Sequence, residues 1–183
     1  MKNWIVFFIG MLSYTLNFAQ PDNGNFREAI GWNANQSLVW QDFKATPIDN
    51  ALEAAMTASS IEISYHTKGN TFSWTVNVKF FPYLSWSKED KRNDYILKHE
   101  QLHFDITELY GRLLRKELTE KIKTAKDVKL IKNIQKQTLQ KWQIEQNKYD
   151  AETQHSILED KQLMWNKNVE ERLALLQNFA SGK

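Results

Sequence analysis

The sequence predicts an α+β fold, in which an N-terminal antiparallel β-hairpin or small sheet is followed by a C-terminal half of long helices. Three observations predict it. Residues 60–81 alternate apolar and polar side chains with period two, the chain from Ser87 onward repeats apolar residues at helical spacing, and the two textures do not overlap. The 183 residues, 42% hydrophobic and 25% charged, suit one domain with one core.

The first segment stands apart from that domain. Lys2 precedes an almost unbroken apolar stretch over residues 4–16, and Asn17-Phe18-Ala19 ends on a small residue. This is the pattern of a secretory signal peptide over 1–19, cleaved after Ala19. The apolar stretch is shorter than the ~20 residues a stable span needs, so no stable membrane insertion is expected after cleavage. The mature chain is then a single domain over 20–183, mainly β over 20–86 and mainly α over 87–183, secreted or periplasmic. It contains no cysteine, which excludes disulfides and a cysteine-linked lipid anchor. Core burial, helped by any bound metal, must stabilise it, and seven Trp, ten Phe and six Tyr supply apolar surface. With 24 basic and 22 acidic residues the net charge is only +2, which gives no electrostatic case for nucleic acid.

The elements follow in order. Residues 38–43 read as a short extended segment. Ile61, Ile63 and Tyr65 on one strand, and Phe72, Trp74, Val76, Val78 and Phe80 on the next, define the buried face of a hairpin. Lys68-Gly69-Asn70 supplies its turn and Pro82 ends it. Ser87 and Asp90 resemble a capping box for a helix running to about Lys123. A break at 124–127 leaves Asp127 to cap a second helix carrying Leu130, Ile131, Ile134, Leu139 and Trp142. A last helix presents Met164, Trp165, Val169, Leu173 and Leu176.

The first long helix carries the chemistry. It contains His99-Glu100-Gln101-Leu102-His103, whose two histidines, four apart, project from one face one turn apart. Two neutral imidazoles so spaced can bind one Zn²⁺, and the adjacent Glu100 can act on an activated water without binding the ion. A zinc site of this class needs a third protein ligand and an open fourth position. No third ligand follows closely, since Leu109 stands six residues after His103. If the two long helices form an antiparallel hairpin turning near 125 and 126, residues whose numbers add to about 251 lie level. Residues 149–155 then return beside the motif, and His155, Glu152 and Asp150 are the candidates.

These blocks carry a resemblance. Leu38-Val39-Trp40-Gln41-Asp42-Phe43-Lys44, the Ala-rich 54–60, Ser85-Trp86, the stretch HEQLHFDITELY at 99–110, Arg112 and YDAETQHS at 149–156 resemble a family of exported bacterial proteins of unknown function, often labelled secreted zinc-dependent proteases. The resemblance implies that the two specific blocks, 99–110 and 149–156, belong to one site. It favours His155 as the third zinc ligand, with Tyr149 and Asp150 close by.

Other residues have roles that their spacing suggests. Tyr149 is a candidate donor to a developing oxyanion. Glu108 is expected to pair with Arg112 at i,i+4, and Asp105 to orient neighbouring groups or face solvent. His66 is expected to face solvent, and Trp40 and Trp86 to enter the core. The leading expectation is a zincin-like, zinc-dependent metallopeptidase, with metal ligands His99, His103 and His155 and catalytic groups Glu100 and Tyr149. It would act as a monomer on a peptide or cell-wall amide. The alternative is a non-catalytic exported module whose zinc site is structural and closed.

Overall fold

Alternation over the hairpin and a 3.6-residue stripe after it produce two layers meeting on one helix. The computed structural model describes residues 28–68 and 71–181, so the signal peptide expected at 1–19 and the turn expected at Gly69-Asn70 both fall outside the described residues. The strands are β1 (Ile30–Gly31), β2 (Ala55–Met56), β3 (Ser59–Lys68), β4 (Thr71–Phe80) and β5 (Trp86–Ser87). β3 and β4 pair antiparallel from Ser59 opposite Phe80 to Lys68 opposite Thr71, and β1 adds to the far edge of β4. β2 and β5 form a separate antiparallel ribbon. Ile61, Ile63, Val76, Val78 and Phe80 are buried on one hairpin face, while His66 near the tip is exposed.

The helices are α1 (Asp94–Lys121), α2 (Val128–Thr153) and α3 (Glu159–Leu175). α1 packs against β3 and β4 and also against α2 and α3, which makes it the centre of the molecule. At Gly111 the approach to the sheet is closest: a Cβ there would meet Val78 Cγ2 at 2.5 Å. The α1 N-cap is Asn93, whose Oδ1 accepts from Ile96 N at 2.9 Å. Ser87 belongs instead to β5, and residues 89–91 form a short 3₁₀ turn, so the expected cap at Ser87 is displaced by the ribbon pairing. The expected extended segment at 38–43 is likewise a 3₁₀ turn over 40–42, held by Val39 N donating to Asp42 Oδ2.

Between α1 and α2, Asp127 Oδ2 accepts from the backbone N–H groups of Lys123 and Thr124, tying the turn rather than capping α2. This turn sets the helix register. His99 contacts Asp150, His103 contacts Gln146, and Thr107 contacts Trp142, pairs that each add to 249. The expected 251 differs by two residues, or about half a helical turn of rotation.

α2 ends at Thr153, and Gln154, His155 and Ser156 follow with φ of 49°, 51° and 72°. Three consecutive non-glycine residues at positive φ are costly, on the order of 1–3 kcal/mol each. The backbone holds them: His155 N–H donates to Asp150 O at 3.0 Å, and Leu158 N–H to Thr153 O at 2.9 Å.

At the other end of α1, Glu108 is completely buried. It accepts from Arg112 Nε at 2.9 Å, the i,i+4 pair expected from spacing, and from Arg115 Nη1 at 3.2 Å. Ser181 donates to it through both backbone N–H (3.2 Å) and Oγ (2.9 Å). No helix among the described residues is long and apolar enough to cross a membrane.

Candidate metal centre

His99, Glu100 and His103 sit where α1 is covered by α2 and α3, and all three are buried. His99 Nε2, His103 Nε2 and Asp150 Oδ1 form a triangle with edges of 3.2 Å between the nitrogens, 3.2 Å from His99 to Asp150 and 3.0 Å from His103 to Asp150. The three residues are only 4%, 7% and 6% exposed.

The surrounding amides fix which imidazole nitrogen carries the proton. Gln146 Nε2 donates to His103 O at 2.9 Å and to Thr107 Oγ1 at 3.1 Å, so its Oε1 faces His103 Nδ1 at 2.7 Å. A carbonyl oxygen only accepts, so Nδ1 of His103 is the protonated nitrogen. Gln162 works the same way from α3. Its Nε2 donates to Asn166 Oδ1, and its Oε1 accepts from His99 Nδ1 at 2.9 Å and from the Tyr149 hydroxyl at 2.6 Å. With both Nδ1 positions protonated, both neutral imidazoles turn Nε2 lone pairs toward a carboxylate oxygen. Three lone pairs about 3 Å apart repel unless a cation lies among them. The group could hold a metal ion.

A proton is the alternative cation, and the electrostatics show the same demand. Burial disfavours charge on His103, but the Asp150 charge and hydrogen bond, helped by Glu100, outweigh it and lift His103 to about 9. For Asp150 burial acts upward, yet the facing His103 and His99 hold its carboxyl well below the ordinary carboxylate range.

Glu100 is positioned from the β-half. Thr57, in the link between β2 and β3, donates from Oγ1 to Glu100 Oε2 at 2.7 Å. Tyr149 is wholly buried and stacks on His99 with ring centroids 4.6 Å apart. Burial pushes its phenol well above the usual range.

The other candidates of the 149–155 segment lie outside the triangle. His155 is 56% exposed in its side chain, with Nδ1 3.7 Å from Asp150 Oδ1. The physical reason is the end of α2 at Thr153: the left-handed turn carries His155 off the helix face that bears Asp150. Glu152 points elsewhere, accepting from Trp165 Nε1 at 2.9 Å. Asp105 is hydrogen-bonded by Trp32 Nε1 at 2.7 Å and Gln101 Nε2 at 2.8 Å, away from the triangle. Sequence reasoning missed Gln146, Gln162 and Thr57. Gln146 stands one turn before Asp150 on the same face of α2, a spacing that points to it once Asp150 is known.

Residues 36–156 match the family model described as a bacterial protein of unknown function (DUF922), a span running through the hairpin, α1 and α2 to the left-handed segment. No curated protein and no solved structure matches the chain. The matched span holds His99, Glu100, His103, Asp150 and His155 and exceeds half of the sequence, so the chain belongs to the DUF922 family of bacterial proteins of unknown function.

Proposed function

We propose that the protein is an exported zinc-dependent hydrolase acting on a peptide or cell-wall amide bond. The observation that carries this reading is the triangle of lone pairs from His99, His103 and Asp150, with a second carboxylate, Glu100, next to His99 in the chain. An ion bound tetrahedrally at about 2.0–2.1 Å sets its ligand atoms roughly 3.3 Å apart. The edges of the triangle, 3.0–3.2 Å, fall within about 0.3 Å of that. Two imidazoles and one carboxylate also make the donor set of known catalytic zinc sites, which leave a fourth position for water or substrate.

When bound, zinc would polarise a carbonyl and make water nucleophilic near neutral pH. The residues of the chain supply the remainder. Gln146 and Gln162 hold both rings in the ligating tautomer. Thr57 occupies Glu100 Oε2, which leaves Oε1 to take a proton from the attacking water. Water oxygen bonds to the carbonyl carbon, the C–N bond breaks, and Glu100 returns the proton to the departing amine. The products are a carboxylic acid and an amine, and Glu100 ends as it began.

Burial of all three ligand residues favours a second reading, a structural ion that ties α1 to α2 without turnover. Glu100→Gln separates the two. The variant should keep its zinc and lose hydrolysis of a fluorogenic peptide library, whereas equal turnover by variant and parent rejects the role of Glu100. A parent protein that binds zinc and cleaves neither peptides nor peptidoglycan fragments supports the structural reading.

A further inference from the structure

We infer that His155 is the transition-state-stabilising residue of this site, donating a hydrogen bond to the substrate oxygen as negative charge develops on it; this rests on the hydrolase reading above. The need for such a donor comes from Tyr149. That hydroxyl is fully buried and already engaged, donating to Gln162 Oε1 at 2.6 Å and lying 2.8 Å from His99 Nδ1. It orients a ligand and has no reach to a substrate.

His155 has the opposite character. Its ring is 56% exposed while the triangle beside it is buried, and its Nδ1 lies 3.7 Å from Asp150 Oδ1, the oxygen that faces both Nε2 atoms. It makes no side-chain hydrogen bond among the described residues, only this longer approach to Asp150. An exposed donor next to a buried charged centre is where a bound carbonyl oxygen would meet both at once.

The backbone supplies an independent observation. His155 is the middle of three consecutive left-handed residues, none of them glycine. Glycine would adopt this conformation without the steric cost, so the sequence retains strain to present these side chains. The neighbouring anchors are firm: Thr153, completely buried, donates from Oγ1 to Tyr149 O at 2.8 Å, and Leu158 N–H closes the turn on Thr153 O. The strain therefore aims one exposed imidazole beside the site rather than loosening the segment.

The test uses the full chain loaded with cobalt(II), whose visible spectrum reports its ligands, and an N-phosphoryl dipeptide, whose anionic phosphoryl group imitates the carbonyl carbon under attack. His155→Gly removes the ring and tolerates the left-handed backbone, and His155→Asn restores a donor in the same conformation. The parent should bind the phosphoryl dipeptide with a spectral change. His155→Gly should bind cobalt as the parent does but the phosphoryl dipeptide about 10- to 100-fold more weakly, with His155→Asn recovering part of the loss. Equal phosphoryl dipeptide binding by His155→Gly and parent overturns the inference while leaving the metal site intact. A fall in cobalt affinity in His155→Gly overturns it differently, by making His155 a ligand. If the cobalt-loaded parent gives no response to the phosphoryl dipeptide, the hydrolase reading fails and this inference fails with it.

Discussion

Asp150 Oδ1 lies 3.0 Å from His103 Nε2 and 3.2 Å from His99 Nε2, so one carboxylate oxygen from α2 closes the pair of imidazoles from α1. If that oxygen is the third ligand, Asp150→Ala should lower zinc affinity at least about 100-fold, more than loss of an outer partner does. Competition against a chromophoric chelator measures this. A loss under about tenfold would remove Asp150 from the ligand set.

Gln146 should matter without touching the ion. It fixes His103 through a 2.7 Å hydrogen bond to Nδ1 and is anchored by His103 O and Thr107 Oγ1. Gln146→Leu is expected to weaken zinc binding about 10- to 100-fold. Unchanged affinity in the chelator assay would mean that the ring holds its tautomer without Gln146.

Thr57 links the β-half to the chemistry, since its hydroxyl reaches Glu100 Oε2 at 2.7 Å. Thr57→Val keeps the shape and deletes the hydrogen bond. Turnover should fall about 10- to 100-fold through a misplaced carboxylate, with zinc affinity unchanged and Thr57→Ser close to the parent. The prediction fails if kcat is unaltered, or if zinc is lost along with it.

Without metal the centre should respond to pH in a defined direction. His103 rises from an ordinary 6.5 to about 9 in the folded protein, so its contribution is complete below pH 6.5 and lost as pH rises through 9. Asp150 is depressed from 3.8, so its contribution is complete above that value and lost as pH falls through the lower one. Chelator-treated protein should therefore be most stable between about pH 4 and 6.5, losing up to roughly 3 kcal/mol by pH 9. Zinc replaces the proton, so the zinc-loaded protein should not show the alkaline loss. Thermal melts at both pH values, with and without zinc, check this, and a flat apoprotein profile contradicts it.

Different parts of the structure were legible for different physical reasons. The hairpin was readable because Ile61, Ile63, Val76, Val78 and Phe80 are buried on one face, and period-two burial leaves a period-two pattern. The histidine pair was readable because residues four apart share a helix face whatever packs on it. The third position of the triangle was not, because it depends on the α1–α2 turn and on where α2 stops. A shift from 251 to 249 rotates the facing residues by about half a turn, and the helix end at Thr153 takes His155 out of line with Asp150. Gln146, Gln162 and Thr57 carry no periodic or motif signal of their own. Their importance comes from which polar atoms meet across elements, up to 63 residues apart for His99 and Gln162.

The burial of Glu108 bears on the order in which the chain can finish folding. α1, α2 and every member of the metal centre up to Gln162 emerge from synthesis before Ser181, yet Ser181 supplies two of the hydrogen bonds that satisfy Glu108 in the middle of α1. Until that residue docks, a carboxylate at the heart of the molecule depends on Arg112 and Arg115 alone, and water can reach it. The centre can assemble early. The helix that bears it is sealed later, by a segment whose described residues make no hydrogen bond to His99, His103 or Asp150.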